Sequence, residues 1–150
     1  MNSDGSIKER HTFERNTNGK ILEEAFYDTS GELKWKHQFK YDSAGNNIEY
    51  TEVDLACVLI SKATHTFNVK GNATQTTIYD ANSHVSSSTI FKYDDNGEHL
   101  IEQSVFDSKG NLQTRNVLKR DAKGFVVEDD EFDSKDETTR QTRSVYEFYH

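Results

Sequence analysis

Residues 33–45 have the sequence LKWKHQFKYDSAG, and this stretch decides the fold. Large side chains alternate with lysine or glutamine over residues 33–41, which is the two-residue period of a β-strand with one apolar face and one solvated face, the latter carrying the lysines. The segment DSAG follows, with Asp42 at the first turn position and Gly45 at the fourth. Aspartate accepts hydrogen bonds from nearby backbone N–H groups, and glycine adopts positive φ without strain. The stretch therefore predicts a strand that ends in a tight hairpin turn.

The glycines show that this unit recurs along the chain. All eight glycines fall into two series with a spacing of 26 or 27 residues, or multiples of it: Gly19, Gly45, Gly71, Gly97 and Gly124, and Gly5, Gly31 and Gly110. Aspartate or asparagine stands three residues before each of them, and an aromatic residue commonly precedes that position. The sequence is therefore a tandem array of 26-residue double repeats, each containing two strands and two turns.

Three expected glycine positions carry other residues, namely Cys57, Ser83 and Asp136. We expect them to occupy the same left-handed position of a G1 bulge that glycine occupies elsewhere. One extra residue between Asp94 and Asp107 breaks the period. Because short turns join only antiparallel neighbours, the repeat predicts an all-β, up-and-down antiparallel meander of about 11 strands.

Two architectures of this meander remain open. An exposed apolar face is unfavourable by about 25 cal/mol per Å², which favours a curled or barrel-like sheet whose apolar columns face each other. The alternative is an open single-layer sheet that forms a homodimer through its face or its edge. In either case we predict one domain over residues 1–150, typical of a segment of a longer repeat array.

Composition excludes several classes of partner. The net charge is −8 and the sequence pI is about 5.2, so the chain lacks the basic surface that nucleic acids require. It contains no apolar run of the roughly 18 residues that a membrane helix needs, and we expect no membrane insertion. Cys57 is the single cysteine, so no intrachain disulfide forms. We expect no cofactor.

The turn unit resembles the YD repeat of bacterial RHS-type proteins. The residues that carry the likeness are Tyr27-Asp28-x-x-Gly31, Tyr41-Asp42-x-x-Gly45-Asn46, Tyr93-Asp94-x-x-Gly97, Tyr79-Asp80 and Phe106-Asp107-x-x-Gly110-Asn111. The RHS repeat usually has a shorter period with further Gly, Arg and Thr positions, from which this sequence departs. The resemblance implies a bacterial repeat module of the cell envelope or of a secreted protein, in which such repeats form a β-sheet scaffold.

The first candidate site is an aromatic strand face. Trp35, His37, Phe39 and Tyr41 share one side of their strand by the two-residue period. Packing against neighbouring strands is the ordinary interpretation, and stacking of sugar rings on the aromatic side chains is the functional one. The same columns 52 residues later hold Ser87, Thr89, Phe91 and Tyr93, so the aromatic character is not repeated in full.

The second candidate site is the acidic run of residues 128–137. Asp129, Asp130 and Asp133 are the residues there that we single out as oxygen ligands for Ca²⁺. The competing interpretation is a charged strand near the chain end that discourages pairing with other chains. Elsewhere the regular residues are accounted for by turns and strand faces, and no nucleophile with a base or paired acid is marked out.

We therefore predict a non-catalytic structural or interaction module whose partner is a glycan or a protein. The predicted location is the cell envelope or the extracellular space. Two alternatives stay open: a polysaccharide-acting enzyme domain, and a cytoplasmic antitoxin-like or immunity-like protein whose acidity matches a basic toxin.

Overall fold

A computed structural model of the chain describes residues 9–146. These residues form eleven β-strands and no helix. The strands are β1 (Arg10–Arg15), β2 (Ile21–Tyr27), β3 (Leu33–Tyr41), β4 (Asn47–Val53), β5 (Leu59–Phe67), β6 (Ala73–Tyr79), β7 (Val85–Tyr93), β8 (Leu100–Asp107), β9 (Leu112–Arg120), β10 (Val126–Phe132) and β11 (Thr138–Arg143).

The strands follow one another in the sheet in chain order, from β1 to β11. Every strand pair with an assigned register is antiparallel. The predicted all-β meander is therefore confirmed. Within residues 9–146, β1 and β11 stand at the two ends of this order and do not pair with each other, so the sheet is not closed into a barrel. No helix in this range is long and apolar enough to cross a membrane.

All ten connections between strands use one turn. The N–H of the residue at the glycine position donates to the carbonyl of the Asp or Asn three residues earlier, with N–O distances of 2.8–3.1 Å. A side-chain Oδ1 of that Asp or Asn accepts the N–H of the residue four positions later, as Asn16 does from Lys20 and Asp107 from Asn111. The side chain of the first turn residue thus stabilises the turn through hydrogen bonds that all lie within a five-residue segment.

The three non-glycine turn positions have the conformation expected of them. Cys57, Ser83 and Asp136 have φ of 59°, 63° and 63°, and they are the positive-φ non-glycine residues of the described chain. The extra residue of the repeat lies in the turn after β7. There the N–H of Asp94 donates to the carbonyl of His99, five residues on, whereas the other nine turns close over four.

The described residues divide into two compact units, residues 9–65 with 78–85, and residues 66–77 with 86–146. In the first unit the buried apolar residues are Ala25 and Val53, which lie opposite Lys36 in the register of β2, β3 and β4. The sequence predicted this lysine face to be the solvated one. Lys36 lies between the two small residues in the register, its side chain is 22% exposed, and its Nζ is 3.0 Å from Glu23. A lysine in such a position can lay its aliphatic stem along apolar neighbours while its ammonium pairs with a carboxylate.

The second unit has a polar centre. Its buried residue is Ser104 on β8, which lies opposite Ile90 of β7 and Arg115 of β9. Ser104 donates to Glu102, and Glu102 pairs with Lys92 at 2.7 Å. Arg115 lies over the ring of Phe132, with its guanidinium carbon 4.1 Å from the ring centre, well within the roughly 6 Å over which a cation is attracted to an aromatic face. Like the first unit, this one is stabilised by cross-strand pairs more than by a deep core.

Candidate functional site

Aromatic side chains from neighbouring strands meet on one face of the first unit. Trp35 and His37 of β3 stack with ring centres 4.2 Å apart. Phe26 of β2 stacks on Trp35 at 5.7 Å, and Tyr50 of β4 lies 5.2 Å from His37 and 5.5 Å from Phe39. These separations are typical of favourable ring pairs. Three adjacent strands therefore form a continuous row of rings.

The row continues onto the end strand of the sheet. His11 of β1 lies 4.9 Å from Phe26 and 5.8 Å from Trp35, and its ring stacks with that of Phe13 at 6.4 Å. The seven side chains of this row are called the aromatic platform from here on: His11, Phe13, Phe26, Trp35, His37, Phe39 and Tyr50.

Of the seven platform side chains, His11 and Phe13 are exposed, Phe13 by 49%, and the other five are half-buried. The strands that carry them are neighbours in one sheet, so their rings are side by side along the surface and not enclosed by it. A run of part-exposed aromatic side chains along one sheet face offers an apolar surface that another molecule can contact.

Carboxylates are interspersed with the rings. Glu24 of β2 and Glu52 of β4 lie opposite His37 on its two sides, and His11 Nδ1 is 3.5 Å from Glu24 Oε1. Burial raises the pKa of the Tyr50 phenol, and the negative charges of Glu52 and Glu24 raise it further. The platform therefore presents a neutral phenol and two hydrogen-bond-accepting carboxylates among apolar rings.

Tyr41, the fourth residue of the predicted aromatic face, has a different role from Trp35, His37 and Phe39. Its hydroxyl donates to the carbonyl of Ile21 at 2.9 Å, and its ring lies 5.1 Å from the ammonium of Lys20. The structure thus brings three of the four predicted residues together in the platform. It places Tyr41 at the end of the strand, where it connects β3 to the start of β2.

The predicted metal ligands are not brought together. Asp129 and Asp130 are consecutive on β10 and so point to opposite faces. Asp130 pairs with Arg143 at 2.6 Å, whereas Asp129 lies 4.0 Å from Arg140. Asp133 is the first residue of the last turn and accepts the N–H groups of residues 135 and 137. Residues 9–146 contain no group of three or more His, Cys, Asp or Glu side chains placed to hold a metal ion.

A groove of about 690 Å³ lies in the second unit, beside the turn that contains the extra residue. His99 Nδ1 is 3.0 Å from Asp94 Oδ2 there, and Gly124 of the next turn at this end lies against the other side of the His99 ring. Backbone N–H groups of residues 98 and 99, together with His99, lower the pKa of Asp94 to about 2. The extra residue therefore lengthens a turn without removing its carboxylate anchor.

The platform residues that sequence reasoning missed are His11, Phe13, Phe26 and Tyr50. Each lies on a strand other than β3, and the alternation of its own strand is weaker than that of residues 33–41. A signal was available, because hairpin pairing from the turns places Phe26 opposite Trp35 and Tyr50 opposite Phe39. Each hairpin also contains a register shift next to its turn, which such pairing has to include.

No protein-family model and no curated protein matches this chain. Among solved structures it is similar to a porin-like protein from Bacteroides uniformis, with 17% identity and a TM-score of 0.45, over 82% of this chain and 48% of that one. For TcdB2-TccC3 the identity is 11% and the TM-score 0.35, over 85% and 9%. For a protein with unknown function from Bacteroides fragilis they are 13% and 0.22, over 94% of each.

The chain thus spans about half the length of the porin-like protein and under a tenth of TcdB2-TccC3. These similarities are too low to assign a family or a function.

Proposed function

We propose that this chain is a non-catalytic interaction module that binds an extended glycan along the aromatic platform. The observation that carries the proposal is the continuous row of rings across four adjacent strands, from Phe13 on β1 to Tyr50 on β4. The apolar face of a sugar ring stacks on aromatic side chains, and a row of such side chains offers successive positions for successive sugars.

The polar groups of the platform support a carbohydrate ligand. Glu24 and Glu52 flank His37 and accept hydrogen bonds, which suits the hydroxyl donors around a sugar ring. Two carboxylates near the binding surface also disfavour anionic ligands. The proposed ligand is therefore a neutral glycan of several units.

The proposal includes the wider setting implied by the turn motif. An RHS-like β-repeat module of a bacterial surface or secreted protein presents equivalent positions along a sheet, and at the platform some of those positions depart from the repeat. Trp35 and His37 stand where Ser87 and Thr89 stand 52 residues later. A structural array needs no such difference, whereas a binding surface does.

The repeat itself supplies the test. Trp35→Ser and His37→Thr introduce the side chains that the chain already uses at the corresponding positions of β7, so the fold is expected to tolerate both. On a glycan array, and then by titration calorimetry with the strongest ligand found, we expect Trp35→Ser to weaken binding at least tenfold. The matched control is Phe91→Ser on β7, which lies in the second unit and is expected to leave binding unchanged.

The result that would overturn the proposal is a wild-type chain that binds no glycan, or binding that Trp35→Ser and Phe91→Ser affect equally. Hydrolysis of a bound polysaccharide would favour the enzyme alternative. Capture of a basic protein toxin, with no glycan binding, would favour the immunity-like alternative.

A further inference from the structure

The end strand of the sheet is complementary to itself. Residues 9–15 have the sequence ERHTFER. When this segment is placed antiparallel to a second copy with Thr12 opposite Thr12, the cross-strand partners are Glu9 with Arg15, Arg10 with Glu14, and His11 with Phe13, each occurring twice. Opposite charges, aromatic pairs and paired threonines are the combinations that stabilise neighbouring strands.

Symmetry restricts the registers that two copies can use. A two-fold axis that relates antiparallel neighbouring strands stands perpendicular to the sheet, so each face continues into the same face of the partner. Residues that pair must then lie on the same face and differ by an even number of positions. The register centred on Thr12 meets this condition, and it joins the aromatic platforms of the two copies through His11 and Phe13.

The neighbouring permitted registers are worse. A centre at His11 places Glu9 opposite Phe13 and Arg10 opposite Thr12. A centre at Phe13 places His11 opposite Arg15 and Thr12 opposite Glu14. Both remove every ion pair of the segment, so the register centred on Thr12 is favoured by charge alone.

Two features of β1 favour its pairing with a further strand. Phe13 is 49% exposed, and Glu14 lies opposite Glu23 of β2, so two like charges face each other. Within residues 9–146, Glu14 makes no ion pair, while Glu23 is held by Lys36. A cation on the side of β1 away from β2, where none of the described strands lies, would relieve this repulsion, and Arg10 of a second copy would lie there.

The opposite end of the sheet differs. Arg140 and Arg143 of β11 are already paired with carboxylates of β10, at 3.2 Å to Glu131 and 2.6 Å to Asp130. Pairing of β11 with its own copy offers only arginine, threonine and glutamine to one another, because residues 138–143 are TTRQTR. Charged edges without complementary partners resist pairing.

We infer that the chain forms a two-fold symmetric homodimer through β1, with Thr12 at the axis. The interaction does not depend on what the platform binds. Because one strand pair buries less surface than the roughly 1,200 Å² of a stable interface, the dimer is weak, with a Kd on the order of 10–1,000 μM.

The test is sedimentation velocity on the ligand-free chain over concentrations from about 10 μM to about 2 mM. We expect the mass to rise from that of one chain, 17.3 kDa, toward twice that value. Arg10→Glu and Glu14→Arg, each alone, set like charges opposite each other twice and are expected to raise the Kd at least tenfold.

Two further samples distinguish a loss of dimerisation from a loss of folding in the variants. An equimolar mixture of the Arg10→Glu and Glu14→Arg chains re-forms opposite-charge pairs at both positions, and the double variant does so within one chain; both are expected to dimerise again. The control on the other edge is Thr138→Glu on β11, which is expected to change nothing. A wild-type chain that stays monomeric to 2 mM, or a mixture that fails to recover, would overturn the inference.

Discussion

The hydroxyl of Tyr41 donates a 2.9 Å hydrogen bond to the carbonyl oxygen of Ile21, the first residue of β2. Tyr93 makes the same bond, also at 2.9 Å, to the carbonyl of Ala73, the first residue of β6. In both cases the tyrosine ends one strand and holds the beginning of the strand before it, twenty residues earlier. The aromatic residue of the turn motif is therefore a cross-strand tie as well as a turn flank.

Removing this tie should lower stability. We expect Tyr41→Phe and Tyr93→Phe each to decrease the free energy of unfolding by about 1 kcal/mol, because a part-buried carbonyl loses its donor. Urea unfolding followed by circular dichroism measures the change. Tyr27→Phe is the matched control, because the contact of Tyr27 with Arg10 is made by the ring, whose centre lies 4.0 Å from the guanidinium. We expect this variant to leave the free energy of unfolding nearly unchanged. Equal effects at all three positions would contradict this role of the hydroxyl.

Backbone strain in the turns can be tested with one substitution that should raise the free energy of unfolding and one that should lower it. Ser83 has φ of 63°, so Ser83→Gly should stabilise the chain by about 0.5–1 kcal/mol. Gly110 has φ of 82° with open space where a Cβ would stand, so Gly110→Ala should destabilise it by about 1 kcal/mol through backbone conformation alone. Thermal unfolding of both variants gives the answer. Stabilisation by Gly110→Ala would show that the turn is free to change its φ.

Asp136 should respond differently from Ser83. It has the same positive φ, but its carboxylate accepts two hydrogen bonds from Arg115, at 2.6 and 2.8 Å. Asp136→Gly relieves the strain and removes that pair, so we expect a smaller gain than for Ser83→Gly, or none. Asp136→Asn, which tolerates positive φ and keeps an acceptor, should lie close to the wild type.

The turn carboxylates make the stability of the fold depend on pH in the acidic range. Backbone N–H groups of residues 98 and 99 and the His99 side chain lower the pKa of Asp94 to about 2, and the Asn111 amide and nearby N–H groups lower that of Asp107. A carboxyl whose pKa is lower in the folded state stabilises the fold above its unfolded pKa of about 3.9. That stabilisation is lost as the pH falls toward 2. We expect the midpoint of thermal unfolding to fall steadily between pH 4 and pH 2.

The contribution of one turn can be isolated. Asp107→Asn keeps the Oδ1 acceptor, as Asn16 and Asn68 do in their own turns, but cannot be protonated. We expect this variant to lose part of the acid sensitivity while remaining folded at pH 7. Asp107→Ala should also lose stability at pH 7, because the N–H groups of residues 109 and 111 lose their acceptor. An unchanged acid transition in Asp107→Asn would argue against a role for this carboxylate.

The contribution of the Lys36 side chain to stability can be tested by substitution. Lys36→Ala should destabilise the chain by about 1 kcal/mol, because it uncovers Ala25 and Val53 and leaves Glu23 without its cation. Lys36→Met keeps most of the aliphatic stem and should cost less. Lys40→Ala is the control, since the side chain of Lys40 is 70% exposed and its pairing with Glu49 contributes little. Chemical unfolding ranks the three variants.

Local features of the fold were predictable to the residue. The positive φ of Cys57, Ser83 and Asp136 followed from the spacing of the glycines, because every hydrogen bond of the turn is made within five residues. Which face of the sheet is buried was not predictable in the same way. Ala25 and Val53 are buried on the side predicted to be solvated, since their burial depends on which strands, and so which side chains such as Lys36, lie beside them.

The sequence by itself determined the strands, the turns and their order, because an Asp or Asn anchor and a left-handed fourth residue define each hairpin locally. Tertiary structure alone decided that the sheet stays open between β1 and β11, and that Phe26 and Tyr50 join Trp35 in one platform. The physical reason is that contacts between strands depend on registers that shift beside each turn. Those registers become definite only when the strands are paired.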